Sequence, residues 1–168
     1  MDELNYEETS VLVVEDDGAM RDMLVETLAE EGFTTLAAAG GREGVRKVRA
    51  GGVDVVVTDL RMPDLDGLDM IREICTLPSP PDVILITAFG TIDTAIKAMK
   101  LGARDYITKP FEIDQLLLAV ERAMRDRMLR NEVVRLREEV SDRYRFHNII
   151  GRSAAMQEIF ELIRRVAA

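Results

Sequence analysis

Val55-Val56-Val57-Thr58-Asp59, about a third of the way along the chain, is β-branched for four residues and then ends on a carboxylic acid. Apolar residues at consecutive rather than alternate positions mark a strand covered on both faces, as in a parallel sheet. The run opens at Val53, and four others flank it: Val11 to Val14, Thr34 to Ala38, Val83 to Thr87 and Tyr106 to Thr108. Between them apolar residues fall at helical spacing: Met20, Met23, Leu24 and Leu28 before Gly32; Val45 and Val48 before Gly51; Leu68, Ile71, Ile74 and Cys75; Ile92, Ala95, Ile96 and Met99 before Gly102. A glycine just beyond the last apolar position is a helix C-cap signal. Strict alternation of strand and helix requires right-handed crossovers, so the expected fold class is α/β, a five-stranded parallel sheet with helices on both faces.

The chain has 168 residues and a formal net charge of -9. That length holds one domain and about 50 further residues, since a single core is usually complete within roughly 100–150. Cys75 is the only cysteine, which excludes a disulfide framework and suits a reducing compartment. No apolar run approaches the roughly 18–20 residues that span a bilayer, and the acidic start MDELNYEE is unlike a signal peptide. A soluble, cytoplasmic protein with no membrane partner is expected, and the acidity argues against broad non-specific binding to nucleic acid.

Charge and pattern both change at Glu112. Up to that residue there are 22 acidic and 11 basic side chains, but from Ile113 to Arg145 there are 7 and 8. The fifth helical pattern (Leu116, Leu117, Val120, Ala123, Met124) runs on without Gly or Pro through Leu129, Val133, Leu136 and Val140. Those last four are spaced as a coiled-coil seam, with a stutter separating them from Val120 and Met124. A long solvated helix is the plainer alternative; an apolar stripe on a protruding helix favours pairing with a second copy.

In such a sheet ligands bind beyond the carboxyl ends of the strands, where the strand order reverses. The first run ends in Glu15-Asp16-Asp17, the third in Asp59 and the fourth in Thr87, and the fifth leads into Lys109-Pro110. If the order is flavodoxin-like, the first and third strands are neighbours and Asp16, Asp17 and Asp59 converge. Three carboxylates so close repel one another unless a cation joins them, and an all-oxygen donor set without His or Cys selects a hard ion, Mg2+ in a cell. Singly, each residue has a plainer reading: an Asp after a strand caps a helix, a terminal Thr caps a turn, a Lys is a solvated charge. Their joint placement at strand ends is what points to a site.

The stretches VLVVEDD, VVVTDLRMPDLDG, VILITAFG and ARDYITKPF resemble the receiver domain of two-component response regulators, over about Val11 to Met124. The resemblance implies a flavodoxin-like (βα)5 receiver in which Asp59 is the phosphoacceptor for a histidine kinase. It further implies Asp17 as a direct Mg2+ ligand, Asp16 as its water-mediated partner, and Arg61 as the donor of a backbone carbonyl. Lys109 matches the lysine that pairs with a phosphoryl oxygen, its bond to Pro110 is expected to be cis, and Thr87 and Tyr106 match the switch pair. A carboxylate attacking a phosphoryl group brings anion onto anion, so metal and lysine must neutralise charge while the site holds the in-line geometry. His147 is the only histidine, so the donor histidine must come from another molecule. Phe89-Gly90 are expected to act as a hinge, and Tyr106 to turn from outside to inside as Thr87 moves.

The tail RYRFHNIIGRSAAMQEIFELIRRVAA, from Arg143, resembles the opening of the AAA+ ATPase domain of sigma-54-dependent activators of the NtrC class. The matching residues are Phe146, Ile149-Ile150-Gly151, Ser153, Met156 and the amphipathic set Ile159, Leu162, Ile163 and Val166. No GxxxxGK[ST] loop follows within the 168 residues, so the sequence is expected to be the start of a longer protein. The expected organisation is an extension at 1–9, a receiver at 10–125, a coiled-coil linker at 126–145 and the start of the ATPase at 146–168. The chain is then a switch rather than an enzyme. It would dimerise through the linker and through the face formed by the fourth helix, fifth strand and fifth helix, with sigma-54 RNA polymerase and DNA met by later domains. Two rivals stand beside this. A phosphatase with an aspartyl nucleophile would carry an Asp-x-Asp pair, whereas Asp59 is followed by Leu60-Arg61. A receiver-like module, phosphate-independent or stand-alone, fits less well: the first has no use for mutually repelling acids, the second none for the long Arg-rich helix and the ATPase-like tail.

Overall fold

In a computed structural model, which describes residues 9–88 and 91–149 with side chains to residue 140, strands and helices alternate along the chain. They are β1 (Ser10–Val14), α1 (Gly18–Glu30), β2 (Thr34–Ala38), α2 (Gly41–Ala50), β3 (Val55–Asp59), α3 (Gly67–Ile74), β4 (Asp82–Thr87), α4 (Ile92–Leu101), β5 (Asp105–Thr108) and α5 (Ile113–Ile149). The sheet has the order β2-β1-β3-β4-β5, and every pairing is parallel. The chain winds one way from β1 to β2 and the other way from β3 onward, so the carboxyl ends of β1 and β3 flank the point of reversal. β3 begins at Val55 rather than Val53, because Gly51 and Gly52, at φ of 89° and 79°, turn the chain into the sheet only beyond Asp54.

Alternate residues of the buried strands supply two cores. Val11, Val13, Val55, Val57, Ile84, Ile86 and Ile107 pack against α1 and α5 through Leu24, Leu28, Leu116 and Val120. Leu12, Val14, Val56, Val83 and Leu85 pack on the other face against α2, α3 and α4 through Val45, Val48, Met70, Ile71, Ile74 and Ala98. Each large side chain so buried is worth about 1.5–3 kcal/mol against solvent exposure.

The chain divides after Arg127. Just before that point α5 is fastened to the amino ends of the strands. Asp126 pairs with Arg104, and Arg127 donates from Nη1 to the Pro80 carbonyl at 2.9 Å with its Nε 3.3 Å from Asp54. Beyond it α5 continues through the expected boundary at Phe146 to Ile149, and Leu129, Val133, Leu136 and Val140 are about half exposed, together with Met128 and Val134. The extension before Thr9, the Phe89-Gly90 hinge and the tail from Ile150 lie outside the described residues.

Gly67 stands where the loop after β3 enters α3, and a Cβ there would lie 2.5 Å from the Asp59 carbonyl oxygen and 2.8 Å from Leu85 Cδ1. Gly67→Ala is therefore expected to destabilise the fold by about 1–3 kcal/mol. Gly18→Ala, at the open first turn of α1, should be neutral or stabilising by up to about 1 kcal/mol. Urea unfolding followed by circular dichroism checks both, and equal midpoints for the two variants would contradict the packing described for Gly67.

Candidate functional site

β1 and β3 run side by side with Val14 opposite Thr58, so the residues that follow them meet at one edge of the sheet. There one carboxylate oxygen from each of Glu15, Asp16 and Asp59 lies within 4.8 Å of the others. The end of β5 delivers Lys109, whose Nζ is 2.7 Å from Glu15 Oε2 and 3.1 Å from Asp59 Oδ1. Its backbone N–H donates to the Thr87 carbonyl at 2.7 Å, and its bond to Pro110 is cis. Asp59 Oδ2 also accepts from the backbone N–H of Arg61 at 3.1 Å.

Strand parity explains the meeting. Glu15 continues the row Val11-Val13, Asp59 the row Val55-Val57, and Lys109 follows Ile107, all on the α1/α5 face. Thr87 and Tyr106 continue the opposite face, and their strands pair with Leu85 opposite Tyr106 and Thr87 opposite Thr108. Thr87 is buried at the end of β4. Tyr106 is directed inward against the α2/α3/α4 core, and its buried hydroxyl has no hydrogen-bond partner among the described residues. Burial pushes its phenol above the ordinary range.

The expected convergence of Asp16, Asp17 and Asp59 is corrected to Glu15, Asp16 and Asp59. Asp17 is the N-cap of α1, its Oδ1 accepting from the Met20 N–H at 2.8 Å, so its carboxylate is committed to the helix rather than to the cluster. Glu15 stands in the cluster in its place. It is only 3% exposed, and burial raises its pKa, opposed by the hydrogen bond from Lys109. For Lys109 burial works against the charged form, but the bonds to Glu15 and Asp59 outweigh it and hold the ammonium above its usual range.

Three acids against one lysine leave an excess of negative charge in a partly buried cleft, and the donors are all oxygen. That combination fits a hard divalent cation, with Asp16, Asp59 and Glu15 as the available carboxylates. Beside Lys109 lies an apolar cavity of about 480 Å3, lined by Met20 and Met23 of α1 and by Pro110, Phe111 and Ile113. Cys75 sits apart from this edge, half-buried at the end of α3 close to Gly102, and burial pushes its thiol up.

The model of the response regulator receiver domain family matches residues 11–121. The regulatory protein AtoC of Escherichia coli is 34% identical over 157 residues, covering 94% of this chain and 34% of AtoC. The DNA-binding transcriptional regulator NtrC of the same organism is 35% identical over 161 residues, covering 94% and 33%. The chain thus spans about a third of the length of these relatives. Among solved structures, the beryllofluoride-activated NtrC4 receiver domain dimer is 37% identical with a TM-score of 0.66, covering 70% of this chain and 97% of that one. NtrX from Brucella abortus, in complex with ADP, is 34% identical with a TM-score of 0.71, covering 94% and 35%.

The shift of one residue in the acid triad separates the variants. Asp17→Ala should lower stability by about 1 kcal/mol through loss of the cap while leaving Mg2+ affinity, measured by calorimetry, unchanged. Asp16→Ala should abolish detectable Mg2+ binding with little loss of stability; the reverse pattern would restore Asp17 to the cluster. Cys75, protonated and half-buried, should react with iodoacetamide at mildly alkaline pH more slowly than free cysteine, and more quickly once urea unfolds the chain.

Proposed function

The chain belongs to the response regulator receiver domain family, and we propose that its receiver is the phosphorylation-controlled input of an NtrC-like, sigma-54-dependent transcriptional activator. The observation that carries this reading is the meeting of Glu15, Asp16, Asp59 and Lys109 at the carboxyl edge of the sheet. In this reading residues 10–125 are the receiver, 126–145 a linker and 146–168 the start of an ATPase domain.

Asp59 is the nucleophile. Its carboxylate oxygen attacks the phosphorus of a phosphohistidine on a histidine kinase; an O–P bond forms as the N–P bond breaks, and the electron pair stays on the donor imidazole. Glu15, Asp16, Asp59 and the backbone carbonyl of Arg61 would hold Mg2+. When bound, the ion neutralises charge on the phosphoryl oxygens. Lys109, already between Glu15 and Asp59, turns its ammonium to the incoming group. The apolar cavity next to it offers a seat for the helix that carries the donor histidine.

The chemistry here is that of a switch, since the site positions and screens rather than relays protons. Thr87 can donate to the new phosphoryl group, and Tyr106, on the same face of the neighbouring strand, responds to its movement. The exposed stripe of Leu129, Val133, Leu136 and Val140 pairs two copies, together with the face of α4, β5 and α5, where Ile92, Ile96 and Met99 are exposed. Sigma-54 RNA polymerase and DNA are met by domains beyond this chain. No described helix is long and apolar enough to cross a membrane, in keeping with a cytoplasmic regulator.

Incubation with acetyl phosphate and Mg2+ should add one phosphoryl group by intact mass, and Asp59→Asn should abolish it; an undiminished adduct on the variant would name another acceptor. Sedimentation equilibrium at micromolar concentration should find a dimer, weakened by Leu129→Glu with Leu136→Glu. A monomer both with and without beryllofluoride would contradict the pairing.

A further inference from the structure

The loop from Leu60 to Asp66 leads from the phosphoacceptor into α3 and carries Arg61. Its start is tied to the sheet, the Leu60 N–H donating to the Ile86 carbonyl at 2.9 Å, and its end closes back on that start, the Gly67 N–H donating to the Leu60 carbonyl at 2.8 Å. Its middle is tied elsewhere. Asp64 Oδ1 accepts from the Gly41 N–H and Oδ2 from the Arg42 N–H, each at 3.0 Å, at the first turn of α2.

α2 starts on Gly40, which has no side chain to cap it, so Asp64 caps the helix from 22 and 23 residues away. The fit is close on both sides. A Cβ at Gly40 would lie 2.7 Å from Asp64 Oδ1, and one at Gly41 would lie 2.4 Å from the Leu65 carbonyl oxygen. One turn on, a Cβ at Gly44 would lie 3.0 Å from Val14 Cγ2 and 2.6 Å from Met70 Cε, so the same helix is seated directly on the last residue of β1. α2 therefore bridges the two halves of the acidic site, the strand that leads to Glu15 and Asp16 and the loop that follows Asp59.

We propose that Asp64 is a positioning residue for cation binding and phosphoryl acceptance at Asp59, holding the Arg61 loop in place through the N-terminus of α2. The inference rests on the proposed phosphoacceptor reading and deepens it, because the paired strands fix Glu15 and Asp59 while the clasp fixes the loop that carries Arg61. A cation joining the strand ends to the loop needs their distance preset; a loop held only at its ends has to be ordered at the moment of binding.

The test uses the 168-residue chain with Asp64→Ala, Asp64→Asn, Gly40→Ala and, as a control, Val45→Ala. Val45 is buried in the same helix and makes no part of the clasp. Mg2+ affinity is measured by calorimetry and stability by urea unfolding. Asp64→Ala and Gly40→Ala should each weaken Mg2+ binding by about tenfold, the scale on which supporting residues act on a metal site. Asp64→Asn should fall between, since its amide oxygen keeps one of the two backbone donors. Val45→Ala should lose stability and bind as the parent does. A parent chain that binds no Mg2+ overturns the site reading and this inference with it. A parent that binds, with Asp64→Ala and Gly40→Ala equal to it or Val45→Ala weakened as much as they are, overturns the inference alone.

Discussion

The rest of the structure hangs on a repulsion: three carboxylates are gathered at the carboxyl edge of a parallel sheet, and one ammonium group is shared between two of them. Such a cluster is costly, most of all for the buried Glu15, unless the surroundings are rigid enough to impose it. The rigidity comes from the strands. β1 and β3 are buried along most of their length, neighbours in the sheet and in fixed register, so their last outward-going side chains have nowhere else to go. In the proposed reading the negative excess makes the site receptive to a divalent cation, and the cation makes it receptive to a phosphoryl group.

The sheet also separates input from output. Glu15, Asp59, Thr87 and Lys109 lie at the carboxyl ends of the strands, while the residues that fasten α5 (Asp54, Pro80 and Arg104) lie just before the amino ends of β3, β4 and β5. A strand of five residues spans about 17 Å. α5 starts at Ile113 beside Lys109, so in the proposed reading a change at Asp59 meets the start of α5 directly and has to travel the length of the sheet to reach Asp126 and Arg127. β4 and β5 carry Thr87 and Tyr106 on one face and Ile86 and Ile107 against α5 on the other, so they lie along that path.

Much of this was legible in the sequence because the strands are so plainly apolar. Continuous Val, Ile and Leu runs gave the parallel sheet, and the glycines after Met99 and Val48 marked helix ends that the structure places at Gly102 and Gly51. The acid triad was misread by one position, since three consecutive acids look alike in a string. Period-two parity along Val11-Val13-Glu15 would have brought Glu15 to Asp59, and Asp17, standing three residues before the Met20 N–H that it caps, would have been set aside as the cap. The clasp of Asp64 on α2 left no local signal, because its two partners are backbone groups more than twenty residues away.

The central claim is that Glu15, Asp16, Asp59 and Lys109 form one site of excess negative charge that a cation and a phosphoryl group complete. A crystal structure of the chain with Mg2+ and beryllofluoride tests it most directly. The account predicts the fluoride adduct on Asp59, the ion held by Glu15, Asp16, Asp59 and the Arg61 carbonyl, Lys109 drawn from Glu15 to a fluorine, and Asp17 still capping α1. An ion held by Asp17, or a Lys109 still bound to Glu15 beside the adduct, would contradict it.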